Sequence, residues 1–178
     1  VQHANFHQQT TLAKGIFERG FTFVTGVPDS EFKTLITELE ANELGKRYVL
    51  ATREDNAVSL AVGAYLAGER PLVFMESSGI GNAVDVLTSL AITYEIPMVL
   101  FIAWAGYKGR DVVHHNAIGE PLKPLLDVLG IESIDVVLDE HDPNSLLDII
   151  EKALELANAQ SSPVAVLGIP KKFAEGDF

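Results

Sequence analysis

Six short apolar runs recur along the chain, at residues 21–25, 48–50, 72–75, 98–102, 134–137 and 164–167. They are rich in Val, Ile, Phe and Tyr, which favour strands. Their hydrophobicity is nearly continuous rather than alternating, the pattern of strands covered on both faces, as in a parallel sheet. Helical periods fill the intervals. Residues 11–19 form one, stopped by Gly20. Asp29 or Ser30 can cap the next, with Glu31 in its first turn and Gly45 near its end. Residues 54–67 are Ala- and Leu-rich, look buried, and end at Gly68. Residues 81–94 stop before Pro97, and residues 124–129 stop at Gly130. Residues 143–159 carry a helical stripe at Leu146, Leu147, Ile150, Leu154 and Ala157. Strand and helix alternate throughout, which predicts a doubly wound α/β fold: a mostly parallel six-stranded sheet with helices on both faces. Residues 104–119 are the one long stretch expected to be irregular.

Composition narrows the function classes. A chain of 178 residues with 47% hydrophobic positions is expected to form one domain, residues 1–178, with a sizeable core. Residues 1–10 are polar and are expected to be a flexible start; they lack the apolar centre of a secretory signal. The chain opens on Val, which leaves its true start open. A net charge of −12 argues against nucleic-acid binding, though one pocket can differ in sign from the whole surface. The absence of cysteine excludes disulfides and thiolate chemistry. No apolar run approaches a membrane span, so a cytoplasmic protein is expected.

Candidate chemistry gathers at the strand ends. In an open α/β sheet, ligands bind beyond the carboxyl ends of the strands. Four loops fall there: residues 26–30, 52–56, 76–82 and 104–119, the last carrying His114 and His115. Gly79-Ile80-Gly81 lacks the third small residue of a dinucleotide fingerprint, because position 84 is Val. It reads as a tight turn that lets backbone pass closely. Ser77 and Ser78 lack the G-x-S-x-G elbow of a hydrolase. His3 and His7 read as exposed terminal residues. For His114 and His115, polar loop residues and a proton-transfer role stay open. Glu54, where a strand meets a helix, suits a helix N-terminus on electrostatic grounds alone.

The arrangement resembles the pyrimidine-binding domain of thiamine-diphosphate enzymes over nearly the whole chain. That family opens with a strand leading to G-V-P, here Gly26-Val27-Pro28. Its cofactor glutamate follows the second strand, with Asn, Ala and Gly at spacings matched by Glu54, Asn56, Ala57 and Gly63. Within it, the run from Met75 to Asn82, the downstream Ser89-Leu90, and Trp104 with Gly106 resemble sulfopyruvate and phosphonopyruvate decarboxylases. Ala105 and Glu76 stand where that subgroup has Arg and Gln. His114-His115 with Gly119 resembles the double-His loop of pyruvate-type decarboxylases.

The resemblance implies the chemistry. A carboxyl group bonded to the pyrimidine N1′ favours the imino form of the cofactor's 4′-amino group, which then takes the thiazolium C2 proton; Glu54 is the implied partner. Gly26, Val27, Pro28, Ser78, Gly79 and Asn82 are the other implied cofactor contacts. His115 and His114 are the implied proton carriers at the reacting carbon. The family's diphosphate and Mg2+ motif, G-D-G followed by Asn, does not occur; the sole Gly-Asp pair is Gly176-Asp177. A partner β subunit or a severed second domain is therefore implied to hold the diphosphate and Mg2+. The implied assembly is α2β2 or larger, with Ile80 and Val84 expected as exposed interface residues. The implied function is the α subunit of a 2-oxo-acid decarboxylase, with 3-sulfopyruvate or 3-phosphonopyruvate as lead substrates. The alternatives are a pyruvate-type decarboxylase or carboligase, and a non-catalytic regulatory subunit.

Overall fold

The computed structural model describes residues 12–41, 47–138 and 143–170. Six parallel strands run in the order β2-β1-β3-β4-β6-β5: β1 Phe23–Gly26, β2 Tyr48–Leu50, β3 Pro71–Glu76, β4 Val99–Ala103, β5 Glu132–Val137 and β6 Val164–Ile169. The helices are α1 (residues 12–18), α2 (Lys33–Ala41), α3 (Glu54–Leu66), α4 (Ile80–Val86), α5 (Val113–Gly119), α6 (Leu122–Leu129) and α7 (Pro143–Gln160). The α/β reading and the parallel sheet hold.

Pleating explains why the apolar runs are continuous. Successive side chains of a strand face opposite ways. Leu72 and Phe74 enter one core with Val99, Phe101, Val164 and Val166, beneath α1, α2 and α7. Val73 and Met75 enter the other with Leu100, Ile102, Ala165 and Leu167, beneath α3, α4 and α6. A strand covered on both faces needs apolar residues at every position, and β3, β4 and β6 comply. Phe32, on the turn before α2, sits edge-on to Phe101 and tilted on Phe74, with ring centroids 5.1 and 5.2 Å away. The stripe on α7 is buried at every expected position.

Several expectations need correction. Residues 104–119 are not irregular: they hold a 3-10 turn, Tyr107–Gly109, and α5, which carries both histidines. That helix has no apolar stripe; side-chain bonds described below fasten it. Residues 81–94 do not form one regular helix. It begins at Ile80 and widens into a π-helical segment, Leu87–Ile92. Ile80 is fully buried against the sheet, so it offers no interface surface, and Val84 is half-buried. Its burial follows from its place at the first turn of α4, where the helix leans on the core shared with α3. Helix α3 is buried on one side only: Ala57, Val58, Ala61 and Val62 face the core, while Leu60 and Leu66 are exposed. Thr11, Gly45, the first ten residues and Gly176-Asp177 lie outside the described residues.

Strand order reverses direction at β1, whose neighbours are β2 and β3. Such a switch point leaves a crevice at the carboxyl ends of the strands. The loops after β1, β2, β3 and β4 meet there.

Candidate active site

Glu54 is the first residue of α3 and only partly exposed. Its Oε2 accepts a hydrogen bond from Asn82 Nδ2 at 2.8 Å. Gly79 explains how the carboxylate fits. A Cβ at Gly79 would overlap the Glu54 side chain, so the turn after β3 passes the carboxylate only because no side chain stands there. The tight-turn reading of Gly79 thereby acquires a specific neighbour. Gly79 and Asn82 are brought to Glu54, whereas Ser78 is exposed on the same turn. Gly26 ends β1, the amide of Val27 donates to Phe74 O at 3.2 Å, and Pro28 is exposed beyond it. A carboxylate held just past a strand end, packed directly on the backbone of Gly79 and oriented by Asn82, fits a heteroaromatic nitrogen that must receive or share a proton.

Ser77 is buried, and its Oγ donates to Ala105 O at 3.1 Å. This bond ties the turn beside Glu54 to the segment that carries the histidines. On that segment, Asp111 collects three donors: Gly106 N–H at 3.0 Å, Val112 N–H at 2.7 Å and His115 Nδ1 at 2.9 Å. Asn116 clasps Asp111 from the other side, accepting from its amide at 3.1 Å and donating to its carbonyl at 2.9 Å. Trp104 Nε1 donates to Gly119 O at 2.7 Å, anchoring the end of α5 to the end of β4. Burial pulls the Asp111 pKa upward, but the Val112 amide, His115 and the Gly106 amide outweigh it and hold the carboxyl below the usual range.

That direction carries a testable consequence. A group whose folded pKa is depressed contributes stability above its unfolded pKa and loses it as pH falls through the folded value. Wild-type protein should therefore lose thermal stability as pH drops below about 4, the ordinary carboxylate range. Asp111→Asn should start less stable at neutral pH and lose less on acidification. Parallel acid melts of the two proteins would disprove the assignment.

With Asp111 ionised, the Nδ1 of His115 carries hydrogen and Nε2 points elsewhere. It lies 3.8 Å from Glu76 Oε2. His115, Glu76 and Asp111 line a cleft of about 80 Å³ together with Asp29 and Ser30 of the loop after β1. His114 is not in it; its exposed ring sits edge-on to His115, centroids 4.4 Å apart. Asp29, Glu76 and Asp111 fall in loops expected at the ligand edge, but none was singled out as a site residue, and Asp29 was also expected as a cap. Glu76 carries the same signal as Glu54, an acid at a strand end. Asp111 carries an i,i+4 spacing to His115 that matters only once the segment is helical.

Comparison with known proteins adds an independent line. The family described as thiamine pyrophosphate enzyme, N-terminal TPP binding domain, matches residues 8–131. The chain is 29% identical to sulfopyruvate decarboxylase subunit alpha of Methanococcus maripaludis, covering 86% of this chain and 89% of that protein. It is 31% identical to the subunit of the same name from Methanocaldococcus jannaschii, covering 82% and 83%. A phosphonopyruvate decarboxylase of Streptomyces viridochromogenes is 34% identical over 68% of this chain but only 30% of its own length. A 2-oxoglutarate:ferredoxin oxidoreductase from Magnetococcus marinus superposes with a TM-score of 0.67 over 93% of this chain and 29% of its own, at 16% identity, a likeness of fold.

Proposed function

Because the chain belongs to the thiamine pyrophosphate enzymes, as their N-terminal TPP binding domain, we propose that it is the pyrimidine-binding α subunit of a thiamine-diphosphate-dependent 2-oxo-acid decarboxylase. The observation that carries this reading is Glu54, held at the start of α3 by Asn82 and packed against Gly79, where only a glycine leaves room for its side chain. When bound, the cofactor supplies a carbanion nucleophile and an electron sink for loss of carbon dioxide. This chain's residues do the rest. Glu54 holds a proton at the pyrimidine N1′. His115, oriented by Asp111, moves a proton at the substrate side of the site; His114 stands behind it as an outer contact. Gly26, Val27, Pro28 and Ser78 shape the cofactor end.

Relatives that span most of the chain supply the substrate proposal: 3-sulfopyruvate or 3-phosphonopyruvate. A second reading, a pyruvate-type decarboxylase or carboligase, draws on one observation: among the described residues, no Lys or Arg lines the His115 cleft. The proposed partner is a β subunit carrying the G-D-G motif and binding the diphosphate through Mg2+, in an α2β2 or larger assembly placed in the cytoplasm. Val49, Leu50 and Leu60, exposed along an apolar groove between β2 and α3, offer such a partner a surface. No helix among the described residues is long and apolar enough to cross a membrane.

Reconstitution tests the proposal. The 178-residue chain alone should show no tight, Mg2+-dependent binding of thiamine diphosphate by calorimetry and no carbon dioxide release. Adding a G-D-G-bearing partner should produce both. Tight binding by the isolated chain would sink the divided-site reading, and a cofactor-loaded complex inert towards every 2-oxo acid would sink the decarboxylase.

A further inference from the structure

The cleft at the ends of β3 and β4 has a polar lining made mostly of acceptors. Asp29, Glu31, Glu76 and Asp111 contribute carboxyl groups, Ser30 a hydroxyl and His115 an imidazole. The carboxyl groups are not equivalent. Asp29 accepts the amide of Glu31, and Asp111 is occupied by two amides and His115. Glu76 differs. Among the described residues its Oε1 is enclosed without a hydrogen-bond partner, and its Oε2 lies 3.8 Å from His115 Nε2, beyond hydrogen-bond length. An enclosed acceptor lacking a donor is costly and leaves the carboxyl group uncompensated; because Glu76 lines the cleft, a ligand that brings a donor meets it through Oε2, on the His115 side.

The two lead substrates differ at this point. Both are 2-oxo acids with a second acidic group on C3. A sulfonate is fully ionised at neutral pH and presents only acceptor oxygens. A phosphonate, like a phosphate ester, loses its last proton near neutral pH, so part of the population keeps a P–O–H donor. The geometry points to Glu76 as a specificity-determining residue: its carboxylate, unmet by any donor among the described residues, favours a 2-oxo acid whose C3 group carries an O–H and disfavours an acceptor-only anion there. This rests on the decarboxylase reading and narrows its substrate class.

The test uses the complex reconstituted with its partner and thiamine diphosphate. kcat/KM is measured for 3-phosphonopyruvate, 3-sulfopyruvate and 3-hydroxypyruvate, whose C3 group is an uncharged donor, in wild type and in Glu76→Gln. Gln keeps the length, removes the charge and supplies an amide donor. Like charges brought together are strongly unfavourable, so kcat/KM for 3-sulfopyruvate should rise by about tenfold or more in the variant, through KM. The values for the other two should stay level or fall. Wild type gives a second reading. Its KM for 3-phosphonopyruvate should rise with pH as the phosphonate proton is lost, relative to KM for 3-sulfopyruvate. His115 and Asp111 beside Glu76, and Asp29 and Glu31 across the cleft, titrate in common for both substrates, so the difference isolates the substrate's own proton. Equal changes for all three substrates in Glu76→Gln, or parallel pH profiles for the two acids, would overturn the proposal. A cofactor-loaded complex that turns over no 2-oxo acid would overturn the decarboxylase reading and this inference with it; turnover with an unchanged ratio overturns this inference alone.

Discussion

Glu54→Gln should lower kcat of the reconstituted complex by about two to four orders of magnitude, the usual loss when a positioned acid–base group is removed. The substitution preserves size, and an amide at position 54 can still meet Asn82, which donates to Oε2 in the wild type. Folding and assembly should therefore survive. What the amide cannot do is hold and release a proton at a heteroaromatic nitrogen. A competing account gives Glu54 only the role of an acid at the start of α3, where Glu54 and Asp55 both occupy the first turn. The two accounts separate on magnitude. Loss of a helix-dipole interaction costs about 0.3–1 kcal/mol of stability and nothing in turnover. The measurement is paired: thermal midpoint and kcat on the same preparation. A small drop in midpoint with near-normal kcat would return Glu54 to its helix and leave room for a non-catalytic subunit that kept the fold. A collapse of kcat with an intact midpoint would exclude that reading.

The sequence made some of this architecture plain and hid the rest for identifiable reasons. Strands β3, β4 and β6 were legible because both of their faces are covered, which forces apolar residues at every position. Edge strands give weaker signals. β5 was recognised from Ile134 onward, but Glu132 and Ser133 also pair with β6. Helix α7 was legible from its stripe. Helix α5 was not, because Val-His-His-Asn-Ala-Ile-Gly has no apolar period; it stands on the Asp111–Asn116 clasp and the Trp104–Gly119 bond. Ile80 was misplaced because flanking glycines resemble an exposed turn, whereas the helix starts one residue earlier than expected and turns Ile80 inward. The candidate site divides along the same line. Glu54 was reached through motif spacing and His115 through the likeness of its loop to a double-His loop. The approach of Glu76 to His115 depends on β3 lying beside β4, a tertiary fact that no local pattern encodes.

Gly106→Ala should reduce kcat by about a hundredfold, because displacing a reacting group by an ångström costs roughly that much. Gly106 follows β4 with φ +73, and its amide is one of the donors to Asp111. A Cβ there would overlap the carbonyl of His115, which is backbone and has no rotamer to escape into. The facing wall is equally closed, since a Cβ on Gly119 would strike the backbone of Ala105 and Gly106. A methyl group at Gly106 must therefore push α5 off the end of β4, carrying His115 away from Glu76 and weakening its bond to Asp111. The left-handed backbone adds about 1–2 kcal/mol of strain for any L-residue. Gly109→Ala supplies the control. It has φ +70 but a Cβ there meets only Glu120 Oε1, at 3.6 Å. It should lose comparable thermal stability through its backbone while keeping kcat within a few-fold, because nothing in the cleft moves. Thiamine diphosphate affinity of the complex should hold in both variants, since Glu54, Gly79 and Asn82 stand on α3, the turn after β3 and α4. Equal kcat losses in the two variants would mean that strain in the loop, not displacement of His115, is responsible. Full activity in Gly106→Ala would remove His115 from the reaction.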